Sequence, residues 1–96
     1  MRSWTVLGVF TLMAGAAASP QATAASPDFC RDYARTAIRQ SEFARENPYC
    51  ARHAHGSRWS MDFRQHFDWC LGVHHRTAEG ETAARHEYLR ACRGRY

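Results

Sequence analysis

Between Phe29 and Ala44, apolar or small side chains return every three or four residues, at Phe29, Cys30, Tyr33, Ala34, Ala37, Ile38, Ser41 and Ala44. This rhythm is that of a helix with one buried stripe. Arg31, Arg35, Arg39, Glu42 and Glu46 fall on the opposite side. Arg39 can reach Glu42 one turn on, whereas the three arginines repel one another at four-residue spacing. Ser26-Pro27-Asp28 marks the start: serine can cap free amides, and proline is preorganised for the first helical position. Asp28 and Asp32 face the positive helix end. Asn47-Pro48 stops the helix, because the residue before proline is pushed out of the helical region.

Residues 47–60 form a connection longer than is usual between helices. Within it Cys50 can tie the chain down, Gly56-Ser57 supplies a turn, and Trp59 offers a large apolar body to bury. A second, shorter helix is predicted to begin near Ser60 or Asp62, where Asp62 and Gln65 have capping-box spacing, and to end at Gly72 in a left-handed cap. Its inner face is expected to carry Trp59, Phe63, Phe67 or His66, and Cys70. A third helix is predicted after Thr77, with Glu79 and Glu81 early and Arg90, Arg93 and Arg95 late, both favourable to the helix dipole. Ala84, Tyr88, Leu89 and Cys92 form its expected inward face; Gly80 weakens its first turn and Gly94 can close it. The chain reads as all-α: a small three-helix up-down-up bundle with a long loop between helices one and two.

The first residues change where this bundle is placed. Met1 and Arg2 make a minimal basic start, and Trp4 to Ala18 make an apolar run broken by small residues and threonines. The run falls short of the roughly 20 apolar residues that a bilayer span needs. Ala16-Ala17-Ala18 before Ser19 and Ala22-Thr23-Ala24 before Ala25 both offer small-residue cleavage sites. Residues 1–24 are therefore read as a signal peptide and residues 25–96 as a single helical domain. The expected location is the periplasm or the medium, without stable membrane insertion after cleavage.

Export gives the four cysteines their meaning. A short exported domain buries too little core to be safe alone and commonly carries disulfides. Four cysteines allow three pairings. In the helical reading Cys30 and Cys70 lie at one end of the bundle, and Cys50 and Cys92 at the other. A Cys30–Cys50 bond would span a helix of about 18 residues, roughly 27 Å. Disulfides need Cα atoms within about 7 Å, so that pairing and its complement fail. Cys30–Cys92 meets the same objection across the third helix. Cys30–Cys70 and Cys50–Cys92 remain, each closing a loop of about 40 residues worth roughly 4 kcal/mol in unfolded-chain entropy.

Thirteen arginines, no lysine and nine acidic residues give a formal net charge of +4. The acids are scattered among the arginines, which argues against a nucleic-acid surface. Six histidines are the metal-ligand candidates: His53 and His55 in the loop, His66, His74 and His75, and His86. Their spacings lack a Cys-x-x-Cys or His-Glu-x-x-His frame. Asp62 lies four residues before His66 and could accept its ring proton, but Ser57 and Ser60 do not complete a catalytic constellation. Arg58-Trp59 is the other local pair; a short chain favours burying the tryptophan, while an exposed one would mark a recognition surface.

The function read from these residues is a non-catalytic, exported structural or protein-interaction module without a cofactor. Arg31, Arg35, Arg39, Arg58 and Trp59 are its candidate contacts, and an acidic protein or envelope component its candidate partner. The alternative is a small histidine-based metal-binding or metal-buffering protein.

Cys30, Tyr33 and Ala34, then Cys50, then Arg58-Trp59 with His66, Trp69 and Cys70, and finally Leu89 and Cys92 make up one frame. It resembles small secreted proteobacterial proteins of unknown function with the pattern Cys-x-x-Tyr-Ala, a middle cysteine, Arg-Trp, His-x-x-Trp-Cys and Leu-x-x-Cys. The resemblance covers nearly all of residues 25–96 and implies an exported domain without catalytic residues. Such proteins often place glycine and an aromatic after the middle cysteine. Here Ala51-Arg52-His53 stands there instead, which implies a loop of different shape.

Overall fold

The computed structural model describes residues 24–94. The predicted signal peptide therefore lies outside the described residues except for Ala24. Helix α1 spans Pro27–Glu46, with the Ser26 side chain accepting from the Phe29 amide at 3.2 Å. Cys30, Tyr33, Ala34, Ala37, Ser41 and Ala44 are its buried residues, which is the stripe the periodicity defines. Four of the six have small side chains, so neighbouring backbone can come close.

The long connection is more ordered than its composition predicts. Asn47, having ended α1, caps a one-turn helix α2 (Pro48–Ala51): its Oδ1 accepts from the amides of Tyr49 and Cys50 at 2.9 and 3.2 Å. One residue thus stops a helix with its backbone and starts another with its side chain. A 3₁₀ turn follows at Ser57–Trp59, preceded by Gly56 at φ 88°. That left-handed backbone is where glycine costs least, even though a Cβ there would meet open space.

Helix α3 spans Phe63–Leu71 and helix α4 His75–Arg93. Asp62 caps α3 through Oδ1 on the Arg64 amide at 3.0 Å. The expected left-handed cap at Gly72 is not formed: Gly72 sits at φ −99°, and its amide reaches the Trp69 carbonyl at 3.1 Å. The expected start of the last helix at Thr77 is also corrected. His74 Nδ1 accepts from the Arg76 amide at 3.0 Å and caps α4 three residues before Thr77. Histidine is not among the usual capping residues, so nothing in the local pattern signals a helix start there.

Helix α1 is the hub, touching α2, the 3₁₀ turn, α3 and α4. Cys30–Cys70 joins the start of α1 to the end of α3, and Cys50–Cys92 joins the region just past α1 to the end of α4. The Cα separations are 5.6 and 5.2 Å. Helices α1, α3 and α4 therefore run up, down and up, the all-α arrangement predicted, with both disulfides as derived.

Two apolar clusters fill the ends. One holds Ala25, Cys30, Tyr33, Cys70 and Ala78, with Phe29, Phe67, Leu71 and Val73 against it. The other holds Ala44, Cys50, Trp59, Leu89 and Cys92, flanked by Ala54 and Tyr88. Trp59 is 6 % exposed, 5.0 Å from the Tyr88 ring, and so belongs to the core. On α4 the buried residues are Ala78, Arg85, Leu89 and Cys92. The expected Ala84 and Tyr88 are half-buried, and an arginine occupies the middle of the stripe.

Candidate functional site

Arg85 is 1 % exposed, the largest fully buried side chain among the described residues. Its guanidinium meets neutral oxygens. Nε donates to the Arg58 carbonyl at 2.8 Å, Nη1 to Gln40 Oε1 at 3.2 Å, and Nη2 to Tyr33 Oη at 2.5 Å. The guanidinium carbon also lies 5.1 Å from the Tyr33 ring centroid. These acceptors come from α1 and from the 3₁₀ turn, so three separate segments must converge to hold one cation. Arginine has five N–H donors. Three are used by these contacts, and among the described residues no carboxylate lies within ion-pair distance of the group.

Above Arg85 opens a cleft of about 410 Å³, lined by Tyr33, Ser57, Arg58, Gln65, His66, Trp69, Glu81 and Arg85. Arg58 and Glu81 close one wall through a forked pair, Nε to Oε2 at 2.6 Å and Nη2 to Oε1 at 3.0 Å. Arg58 raises its pKa through that hydrogen bond, and the same bond holds the Glu81 carboxyl below its ordinary range. Burial pushes the Tyr33 phenol up, so it keeps its proton. That proton has no acceptor among the described residues.

His66 is buried at 4 % exposure, and its Nε2 lies 2.8 Å from the Ser60 carbonyl. A carbonyl can only accept, so Nε2 carries the hydrogen and Nδ1 the lone pair. Burial lowers the His66 pKa, which the Ser60 hydrogen bond partly opposes, and the ring is neutral at pH 7. The proposed Asp62–His66 pair is not formed. Asp62 spends its carboxylate on the Arg64 amide, and the Ser60 hydroxyl accepts from the Asp62 amide at 2.9 Å. Opposite, Trp69 is 40 % exposed and leans on Tyr33 with ring centroids 5.6 Å apart. The expected inner-face residue Phe63 is also on the surface, stacked on Phe67.

The arginines singled out from the sequence are separated by the fold. Arg31 is paired with Asp28, and Arg35 with Asp32 at 2.9 Å, which offsets the repulsion along that row. Arg39 turns to Thr36 Oγ1 at 3.5 Å instead of reaching Glu42, and it lines a shallow groove with Phe43, His86 and Arg93. Arg58 alone of the four arginines reaches the cleft, and the fifth candidate, Trp59, is in the core.

The histidines are also dispersed. His55 Nε2 lies 2.7 Å from the Arg52 carbonyl, His74 caps α4, and His75 Nε2 lies 3.1 Å from Glu79. Among the described residues no three or more His, Cys, Asp or Glu side chains gather as a metal site. No described helix is long and apolar enough to cross a membrane.

Arg85 is the candidate site residue that the sequence reading missed. Its signal was positional: it lies seven residues after Ala78 and four before Leu89, on the buried stripe of α4. No protein family, curated protein or solved structure shows significant similarity to this chain.

Proposed function

We propose that the protein is exported to the periplasm or the medium and works there as a non-catalytic recognition module for the anionic group of an acidic partner. One observation carries this reading: Arg85 lies buried at the floor of a cleft with neutral oxygens around it. Glu81 lines the same cleft but is paired with Arg58, so Arg85 has no ion-pair partner of its own among the described residues. Burying such a cation is costly, and a protein built only for stability does better with an apolar residue there. An incoming anion supplies the missing charge.

Two disulfides suit an oxidising compartment and hold the segments that build the cleft.

The test is retention of the oxidised protein on immobilised acidic and neutral peptides at low and raised salt. Retention on the acidic peptide, weakened by salt and strengthened by Glu81→Gln, is expected, because that change removes the carboxylate competing inside the cleft. Equal retention on both peptides, or indifference to Glu81→Gln, would sink the reading. Export is checked separately: protein recovered from the envelope should begin between residues 19 and 26, and intact Met1 in membranes would contradict it.

A further inference from the structure

We infer that the cleft binds a monocarboxylate carried on a planar apolar body, with the carboxylate on the Arg85–Tyr33 floor and the body against Trp69. The inference rests on the recognition reading above and names its ligand class. Three features lead to it.

The first is charge. Arg58 and Arg85 contribute two positive charges to the lining, Glu81 removes one, and His66 is neutral, so one positive charge remains. A monoanion balances that charge. A phosphate dianion overshoots it and brings its second charge up to the Glu81 carboxylate in the same cleft.

The second is the donor set. The Tyr33 hydroxyl proton and the two remaining guanidinium N–H groups lack acceptors among the described residues. A planar carboxylate suits a guanidinium, whose donors lie in one plane.

The third is the wall. Trp69 keeps 40 % of its surface exposed while leaning on Tyr33, although a chain with so small a core gains from burying every large ring. An aromatic face beside a cation is the usual anchor for a flat ligand. The volume of about 410 Å³ lies in the range of small-ligand clefts and accommodates one or two fused rings.

The same chemistry occurs in a free aromatic acid and in the C-terminal residue of a polypeptide ending in Trp or Phe. The experiment therefore has both arms. The oxidised, ¹⁵N-labelled protein is titrated with indole-3-acetate, indole-3-acetamide and inorganic phosphate. A parallel set uses a tetrapeptide ending in tryptophan, with a free or an amidated C-terminus.

Saturable shifts at the Trp69 indole N–H and the backbone amides of Gln65 and Glu81 are expected with a carboxylate ligand, at least tenfold tighter than with its amide. Saturation by indole-3-acetate with the free peptide silent assigns a small acid; tighter saturation by the free peptide assigns a chain terminus. Phosphate binding as tightly as either carboxylate overturns the ligand class and leaves anion recognition standing. Silence with every anion overturns both.

Changing Arg85 risks the fold, so the confirming variants are Trp69→Ala and Glu81→Gln. Trp69→Ala is expected to weaken the aromatic carboxylate about tenfold and leave weak phosphate binding unchanged. Glu81→Gln is expected to tighten both. Unchanged carboxylate affinity in Trp69→Ala overturns the placement of the apolar body.

Discussion

At the end where α1 begins, the Cys30–Cys70 bond lies among Ala25, Tyr33 and Ala78, with four further half-buried apolar side chains around it. At the opposite end, Cys50–Cys92 lies among Ala44, Trp59 and Leu89, with Ala54 and Tyr88 alongside. The first cluster draws on many modest contributions, most of them from α1, α3 and α4. The second depends on one large ring, delivered by a 3₁₀ turn inside a long connection. Tyr88 reinforces that end by donating its hydroxyl to the Cys50 carbonyl at 2.5 Å. Redundant burial tolerates the loss of a member; burial centred on a single ring does not. Between the ends lies a polar layer in which Arg85 bonds to Gln40 and lines the cleft with His66; burying such groups costs stability.

The largest test of this comparison removes both staples. Reduction of the two disulfides is expected to abolish the cooperative thermal transition, because each loop contributes roughly 4 kcal/mol and the whole stability of a small domain is comparable. Circular dichroism of the oxidised and reduced forms checks it. A reduced protein melting close to the oxidised one would show that the two small clusters suffice.

A narrower break separates the ends. Trp59→Ala is expected to cost about 3–5 kcal/mol, the usual loss for a buried aromatic. Phe29→Ala, at a half-buried position of the other cluster, is expected to cost about 1–2 kcal/mol in proportion to the apolar area lost. Urea denaturation of the two variants measures the difference. Equal costs would mean that the second end is as redundant as the first.

The polar layer is probed by pH. Burial lowers the folded-state pKa of His66, so below the ordinary histidine value the unfolded chain binds a proton that the folded chain refuses. The stability held by neutral His66 is complete above about pH 6.5 and is lost as pH falls through the lowered folded value. The denaturation midpoint should therefore drop on acidification from about pH 7, more steeply in the parent than in His66→Gln. Parallel profiles would show that other groups govern that range.

The smallest effect concerns Ser41, 1 % exposed, whose hydroxyl has no hydrogen-bond partner among the described residues. Ser41→Ala removes an unsatisfied buried group at little cost in volume and is expected to be neutral or stabilising by up to about 1 kcal/mol. A loss of more than that would reveal a partner for the hydroxyl.

Much of the scaffold was legible in the chain because its determinants are local. The stripe from Cys30 to Ala44, the Ser26-Pro27 start and the Asn47-Pro48 stop lie within a few residues of what they control. The disulfide pairing followed because helix length converts sequence separation into distance. The α2 turn and the His74 cap were missed because each depends on a side chain folding back on its own backbone.

The cleft belongs to the other category. In sequence Arg85 is one arginine among thirteen, and only tertiary structure decides that it is buried. Its three acceptors lie 27, 45 and 52 residues away along the chain. A buried charge is tolerable only where distant segments bring polar atoms to it, and hydrophobic periodicity does not encode that arrangement. The sequence by itself determined the three long helices, the start and stop of α1 and the two cross-links. Tertiary structure alone decided which arginine forms the floor of the cleft and which tryptophan faces the solvent.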